Sequence, residues 1–562
     1  MGVYLNSKKP YTIYKKTVQS IYFVDKTAML KELIPMIERR DDVSPGQTGS
    51  KDQRYICITR PRRFGKTITA DMIASFFGKA QDSRNIFEKL TIGREGRFEE
   101  HLNRHNVIHI TFNEIPKNCN SYEQYISRIE SRLIHDLRCS YPHIHIDEEE
   151  AVWDVLNDIY EWEDSAEFIF VLDEWDFIYH QDFAEDKDKK AFTRFLSVLL
   201  KDQPYVELVY MTGILPISKY SSGSELNMFF EFSMGTKEKY SEYLGFSDEE
   251  VDDLYERYQR EESRQNVTRE GLRNWYDGYQ TIDGRRLYNP RSVVGALTCN
   301  QLGSYWTSSG PYDEIYTYVK NNIADVKEDI ALMMTGTPVP ARVQEYASTS
   351  MELTTKDEIY SAMVVYGFLT FSHGHVSIPN KELMDKFADM VRQKPTFGYI
   401  YRLAAESQKM LEATKAADIK TMTEILERAH NTESPLIRYS DEAELSKVIT
   451  FVYLQAREYY DIRLEDRSGT GYVDYIFYPY KKDDDGIIVE LKVDDTADHA
   501  IEQIKDRQYA LNFDGRLGDE PRYTGRILAV GIAYDRKDEN KRYECRVDVL
   551  REKQNLSVKM LN

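Results

Sequence analysis

Residues 60–67, RPRRFGKT, follow directly on an apolar stretch and open an amphipathic one, the context in which a phosphate-binding loop works. In such a loop, consecutive backbone N–H groups and a helix N-terminus face phosphate oxygens. Lys66 would reach the β- and γ-phosphates and Thr67 would hold Mg²⁺, so Arg62, Arg63, Phe64, Gly65, Lys66 and Thr67 are the candidate nucleotide contacts. Arg60 stands where the GxxxxGK[ST] pattern has its first glycine. The partner signal is EFIFVLDEWD (167–176), an apolar run that ends in acids. Asp173 would orient the Mg²⁺ shell and Glu174 would polarise an attacking water. The next apolar run, VELVYMTG (206–213), ends in Thr212, where a side chain sensing the γ-phosphate would sit.

A second constellation lies near the C-terminus. In GIIVELKV (486–493), Ile488, Glu490 and Lys492 share one face of a strand and Ile487, Val489, Leu491 and Val493 the other. GYVDYIFYPY (471–480) carries Asp474 on what reads as the other arm of a hairpin, so Asp474 and Glu490 are expected side by side. Two like charges crowded on a half-buried hairpin are unfavourable unless a cation lies between them. Two or three carboxylates holding Mg²⁺, with Mn²⁺ as an alternative, beside a lysine that places water are the equipment of a metal-dependent phosphodiesterase. Glu444 sits at the edge of the stripe Leu445, Val448, Ile449, Val452 and Tyr453, and Gln503 near the stripe Ala500, Ile501 and Ile504; both are added to the site.

These residues must be positioned by elements. Between residue 54 and about 215, apolar strand patterns alternate with helical ones, which implies a parallel sheet covered on both faces. Residues 241–395 read as helical, with YGFLTFSHGHVSIP (366–379) a small hairpin after a helix, a winged-helix-like arrangement. Residues 396–562 read as a second α/β region, so the domains are placed at 1–240, 241–395 and 396–562.

Composition narrows the setting. A chain of 562 residues exceeds one hydrophobic core, and 41% hydrophobic with 30% charged residues fits globular domains. No apolar run approaches the roughly 20 residues of a membrane-spanning helix, and the N-terminal stretch lacks the apolar core of a signal peptide. A cytoplasmic protein without a membrane partner is expected. The net charge of −20 argues against nonspecific coating of nucleic acid but leaves room for a local basic groove. Five cysteines without paired spacing point to reduced packing residues rather than disulfides or a zinc ribbon. The pairs His143/His145 and His373/His375 lack a nearby third ligand and are expected on exposed turns.

The order of short motifs, YFVDKT, RPRRFGKT, VLDEWD, MTGILPISKYSSGSELN, WYDGY, LYNPRSVV, YGFLTF, IPNKE, GYVDYIF, IIVELKV and AIEQI, resembles the bacterial AAA-ATPase-like proteins that carry a C-terminal PD-(D/E)XK nuclease domain. The resemblance implies a P-loop NTPase of the AAA-like, additional-strand class and a restriction-endonuclease-like α/β domain. Lys66, Thr67, Asp173 and Glu174 match the nucleotide motifs; Asp474, Glu490 and Lys492 match the nuclease core, with Glu444 and Gln503 as flanking helix positions. Expected partners are ATP, Mg²⁺ and nucleic acid, DNA ahead of RNA, in an assembly compatible with a homo-oligomer. The rival expectation is an ATP-switched binding module whose nuclease fold is catalytically silent.

Overall fold

The computed structural model describes residues 2–38, 53–147, 149–163, 166–217, 225–234, 239–306, 324–343, 355–431, 442–468, 471–514, 523–537 and 542–553. Two compact units result: Met1–Ile315 with Pro340–Glu382, and Tyr316–Val339 with Leu383–Asn562.

In the first unit the apolar runs become β1 (Tyr55–Thr59), β2 (Asn106–Thr111), β3 (Phe168–Asp173), β4 (Val206–Gly213) and β5 (Phe230–Phe232). They pair in parallel in the order β2-β3-β4-β1-β5. Every residue of β1 and β3 is buried, as a sheet covered on both faces requires. Strand β4 thus lies between the strand that delivers the phosphate loop and the strand that delivers the acids, and this insertion defines the additional-strand arrangement. Helix α1 (Lys66–Phe77) begins at Gly65, whose φ of +94° turns the chain from the loop into the helix.

The motifs of the middle region converge on that loop. Phe64 is buried edge-on against Tyr279 of WYDGY, with ring centroids 5.0 Å apart. The Tyr279 hydroxyl donates to Gly367 O of YGFLTF at 3.0 Å, and Asn289 of LYNPRSVV donates to Arg62 O at 3.3 Å. Glu382 of IPNKE accepts from Ser292 Oγ and from the backbone N–H groups of Tyr305 and Trp306 at 2.7–2.8 Å. The expected helix and hairpin appear as Lys356–Tyr366 followed by antiparallel strands Thr370–Ser372 and His375–Ser377, with His373 and His375 exposed at the turn.

In the second unit, β6 (Tyr460–Ser468), β7 (Gly471–Pro479), β8 (Gly486–Val493), β9 (Ile527–Tyr534) and β10 (Tyr543–Arg551) form a mixed sheet in sequence order. Only the β8–β9 pair is parallel, and α3 (Ala497–Asp506) makes its crossover; α2 (Glu442–Val452) precedes the sheet. Ile488 of β8 and Ile501 and Ile504 of α3 share a core with Val473, Ile476, Tyr509 and Phe513. All five cysteines are free thiols; Cys57 and Cys545 are buried, whereas Cys139 and Cys299 are exposed, which corrects the packing role expected for all of them.

Gly278 makes the packing of WYDGY against IPNKE stringent. Its φ is +109°, and a Cβ there would lie 1.8 Å from Pro379 O. Gly278→Ala is expected to destabilise the first unit by about 3 kcal/mol or more, read as a lowered denaturant midpoint. A midpoint within error of wild type would contradict the packing described.

Candidate functional site

The nucleotide-type site is assembled at the C-terminal ends of β1, β3 and β4. Lys66 is buried and its Nζ donates to Arg60 O at 2.8 Å and Pro61 O at 2.9 Å, so the loop's own carbonyls hold the lysine. Burial pulls its pKa down to about 8, against the favourable charge of Asp176, so it remains a cation at neutral pH. Thr67 is exposed at the first turn of α1. Asp173 is fully buried at the end of β3; burial raises its carboxyl to about 6, with the nearby Thr67 hydroxyl opposing the rise. Its Oδ1 accepts from Thr212 Oγ1 at 3.2 Å, and its Oδ2 is buried without a hydrogen-bond partner. An acceptor-only oxygen in that state, next to a threonine hydroxyl and under a lysine, fits a divalent cation. Helix α1 has no side-chain cap, which leaves its first-turn N–H groups to an anion. Glu174 follows Asp173 half-buried with φ +55°, a strained backbone that turns its side chain out of the strand register.

The reading of Thr212 changes, and Arg60 gains a structural role. Thr212 is completely buried and bonded to Asp173, so it braces the acid instead of lining the phosphate position. Arg60, at the first-glycine position, is buried too, donating to Thr59 O and to Phe232 O of β5 at 2.8 Å each; it ties the loop strand to the edge strand. Arg62 is half-buried and Arg63 exposed with φ +70°, both still in the loop. Asp176 adds a function not read from sequence. Its Oδ2 accepts from the N–H groups of Ile214 at 3.0 Å and Leu215 at 2.8 Å, fastening the turn after β4 to the turn after β3.

The second site is built around Glu490. The register Tyr475↔Val489 sets Asp474 opposite Glu490 across the β7–β8 hairpin, and Asp474 Oδ2 accepts from Leu491 N at 2.7 Å. Glu490 Oε1 accepts from Lys492 Nζ at 3.2 Å and from Gln503 Nε2, while Oε2 is buried without a hydrogen-bond partner. Gln503 reaches Glu490 because α3 lies close on the sheet. Gly531 pairs with Glu490 across β8–β9, and a Cβ on it would lie 2.3 Å from Ala497 O. Tyr509, just past α3, is fully buried and hydrogen-bonds the Gln503 side chain. It extends the chain of support behind Glu490, and no pattern in QYALNF betrays it.

Burial raises the Glu490 carboxyl to about 7, the charge of Asp474 adds to the rise, and Lys492 opposes it. The residues fit a divalent cation: a crowded carboxylate pair and a buried oxygen that no donor satisfies. Glu444 lies in the first turn of α2 and its side chain is outside the described residues. The same helix meets the Tyr475 hydroxyl through Ser446 and Thr450 at 2.6 and 3.0 Å. Tyr475 alternates with Asp474, so that contact is on the opposite sheet face.

The fold and these two sites describe a P-loop ATPase-type unit joined to a nuclease-type unit. Residues 13–222 match the family model described as a predicted AAA-ATPase, and residues 441–544 match that of the PD-(D/E)XK nuclease superfamily. A curated relative, an uncharacterised protein in the vnfD 5′ region of Azotobacter chroococcum mcd 1, is 20% identical over 294 residues. That match spans 51% of each protein, so the chain covers about half the length of this relative. Among solved structures, the Walker-type ATPase PABY2304 of Pyrococcus abyssi gives a TM-score of 0.34 at 10% identity, covering 63% of this chain and 99% of that one. The ORC2 protein of Aeropyrum pernix, in ADPNP–ADP complexes, gives 0.28 at 11%, covering 69% and 96%. Among the described residues no helix is long and apolar enough to cross a membrane.

The position of Glu490 has two measurable consequences. A cation must displace the proton that the carboxyl holds up to about 7, so Mg²⁺ or Mn²⁺ affinity should fall about tenfold per pH unit below that value and level off above it. Calorimetric titration between pH 5.5 and 8.5 reads this, and a flat profile contradicts it. Because the folded state holds the proton more tightly than the unfolded chain does, the metal-free protein should lose stability as pH rises from about 4.5 to about 7. Metal-free Glu490→Gln should then be the more stable protein above pH 7, on the order of 1–3 kcal/mol by denaturant unfolding. A less stable variant would mean that ionised Glu490 is well accommodated.

Proposed function

We propose that the chain couples an ATP-hydrolysing module to a Mg²⁺-dependent phosphodiesterase that acts on nucleic acid, DNA ahead of RNA. The observation that carries the reading is the under-satisfied Glu490 carboxylate, flanked by Asp474 and backed by Lys492 and Gln503. When bound there, the divalent ion supplies charge neutralisation of the phosphodiester and Lewis acidity. Asp474 and Glu490 would hold it, with Glu444 as a further ligand or base. Lys492 would orient the attacking water in line with the leaving oxygen: the water's proton passes to Glu444 or to solvent as the new P–O bond forms and the old one breaks, and the leaving oxygen takes a proton from solvent. Gln503 keeps Glu490 Oε1 occupied, so that Oε2 would be the oxygen left to hold the ion.

In the first unit, Arg62 to Thr67 would bind the ATP phosphates, Asp173 with Thr67 would hold Mg²⁺, and Glu174 would polarise the water. The middle-region residues Tyr279 and Asn289 touch the loop directly, so phosphate binding has a route into that region.

Labelled double-stranded DNA, single-stranded DNA and RNA, incubated with Mg²⁺ or Mn²⁺ with and without ATP, test the proposal. Cutting should require metal and fall at least about 10³-fold in Glu490→Ala and Lys492→Ala. Lys66→Ala should weaken ATP binding at least tenfold and keep the nuclease site intact. Should wild type bind ATP yet cut nothing in the panel, or should Lys492→Ala cut like wild type, the catalytic reading fails and the silent binding module takes its place.

A further inference from the structure

At the opposite end of the first sheet from the phosphate loop, four side chains form a continuous chain. Glu38 follows the helix Met29–Ile37, His101 ends the short helix Phe98–His101, His105 immediately precedes β2, and Glu207 is the second residue of β4. His105 Nδ1 lies 2.9 Å from Glu207 Oε1, His105 Nε2 lies 3.1 Å from His101 Nδ1, and His101 Nε2 lies 3.3 Å from Glu38 Oε1. The two imidazoles stack at 5.3 Å, with the edge of Phe77 against both. Glu100 brings a second carboxylate, so that one ligand atom each from Glu38, Glu100 and His101 lie within 4.8 Å of one another. Arg97 occupies the other oxygen of Glu38.

One assignment of protons leaves a lone pair at the end of this chain. An ionised Glu207 only accepts, so His105 Nδ1 carries hydrogen. With His105 neutral, its Nε2 accepts from His101 Nδ1–H, and the remaining lone pair of His101, on Nε2, faces Glu38 Oε1 with Glu100 alongside. A lone pair aimed at two carboxylates calls for a proton or a metal ion between them, and the 3.3 Å from His101 Nε2 to Glu38 Oε1 suits a metal ion. Two ligand atoms held tetrahedrally at about 2.0–2.1 Å from Zn²⁺ are about 3.3 Å apart.

We propose that Glu38, Glu100 and His101 Nε2 bind a divalent transition ion of the zinc type, with His105 and Glu207 fixing the His101 tautomer from behind. An imidazole with carboxylates suits such an ion better than Mg²⁺, which demands oxygen ligands in octahedral array. Glu207 lies five residues before Thr212 on β4, about 16 Å away along the strand, so this ion is separate from the one at the phosphate loop. The site ties the ends of three segments distant in sequence and stands independently of either proposed hydrolytic activity.

The test is zinc titration of the chelator-stripped full chain, read by competition with a chromophoric chelator, in a Glu490→Ala background that removes the second-unit carboxylate. Wild-type first-unit residues should take up one Zn²⁺ that is lost, or weakened at least 100-fold, in His101→Gln and in Glu100→Gln. Glu207→Gln should weaken it about 10–100-fold through the tautomer, and Lys66→Ala should leave it unchanged. Glu100 is exposed and its substitution does not threaten folding, so it decides the matter if His101→Gln does not fold. Zinc bound with the same affinity in Glu100→Gln as in the background protein, or no zinc bound at all, overturns the proposal.

Discussion

Asp173 and Glu490 meet the same physical constraint: each is a carboxylate buried on a largely apolar strand, with one oxygen bonded and the other left without a donor. Burial without full satisfaction is unfavourable for an ionised acid. The raised carboxyls, about 6 for Asp173 and about 7 for Glu490, express it in the absence of a cation. The surroundings of each acid serve that state. Thr212 takes one oxygen of Asp173, and Lys492 with Gln503 takes one oxygen of Glu490, so in both units a single oxygen is presented. Two unrelated sheets, one parallel and one mixed, arrive at the same local electrostatics.

The loop that faces the first acid is held by parts of the chain far away in sequence. Phe64 lies against Tyr279, Asn289 reaches Arg62, and Arg60 fastens β1 to β5. An arginine in place of the first loop glycine is accommodated by burial of its guanidinium, which burial pulls down to about 10. The loop's shape therefore depends on its scaffold as much as on its own residues.

What could be read from sequence was what periodicity and local order determine. A strand has a period of two, so Glu490 and Lys492 had to share a face, and the hairpin turn between 480 and 486 brought Asp474 opposite. The stripe Ala500, Ile501, Ile504 placed Gln503 beside the sheet for the same reason. Thr212 shows the limit of that reasoning: its position at a strand end was legible, but burial against Asp173 depends on strand order. Tyr509, Asp176 and the chain Glu38–His101–His105–Glu207 are contacts between segments whose separation in sequence carries no pattern.

Gly531 has a bearing on how the second site tolerates change. The carbonyl of Ala497 already occupies the place where a side chain on Gly531 would begin, so the clearance between α3 and β9 is one hydrogen atom thick. Gln503 rides on that helix, and the lining of the site is thereby calibrated from its far side. A single methyl group at residue 531 would lift the helix and draw the amide away from Glu490 while leaving every acid and the lysine in place. Sequence inspection of the acids alone would then score the site as intact when its gauge had been lost.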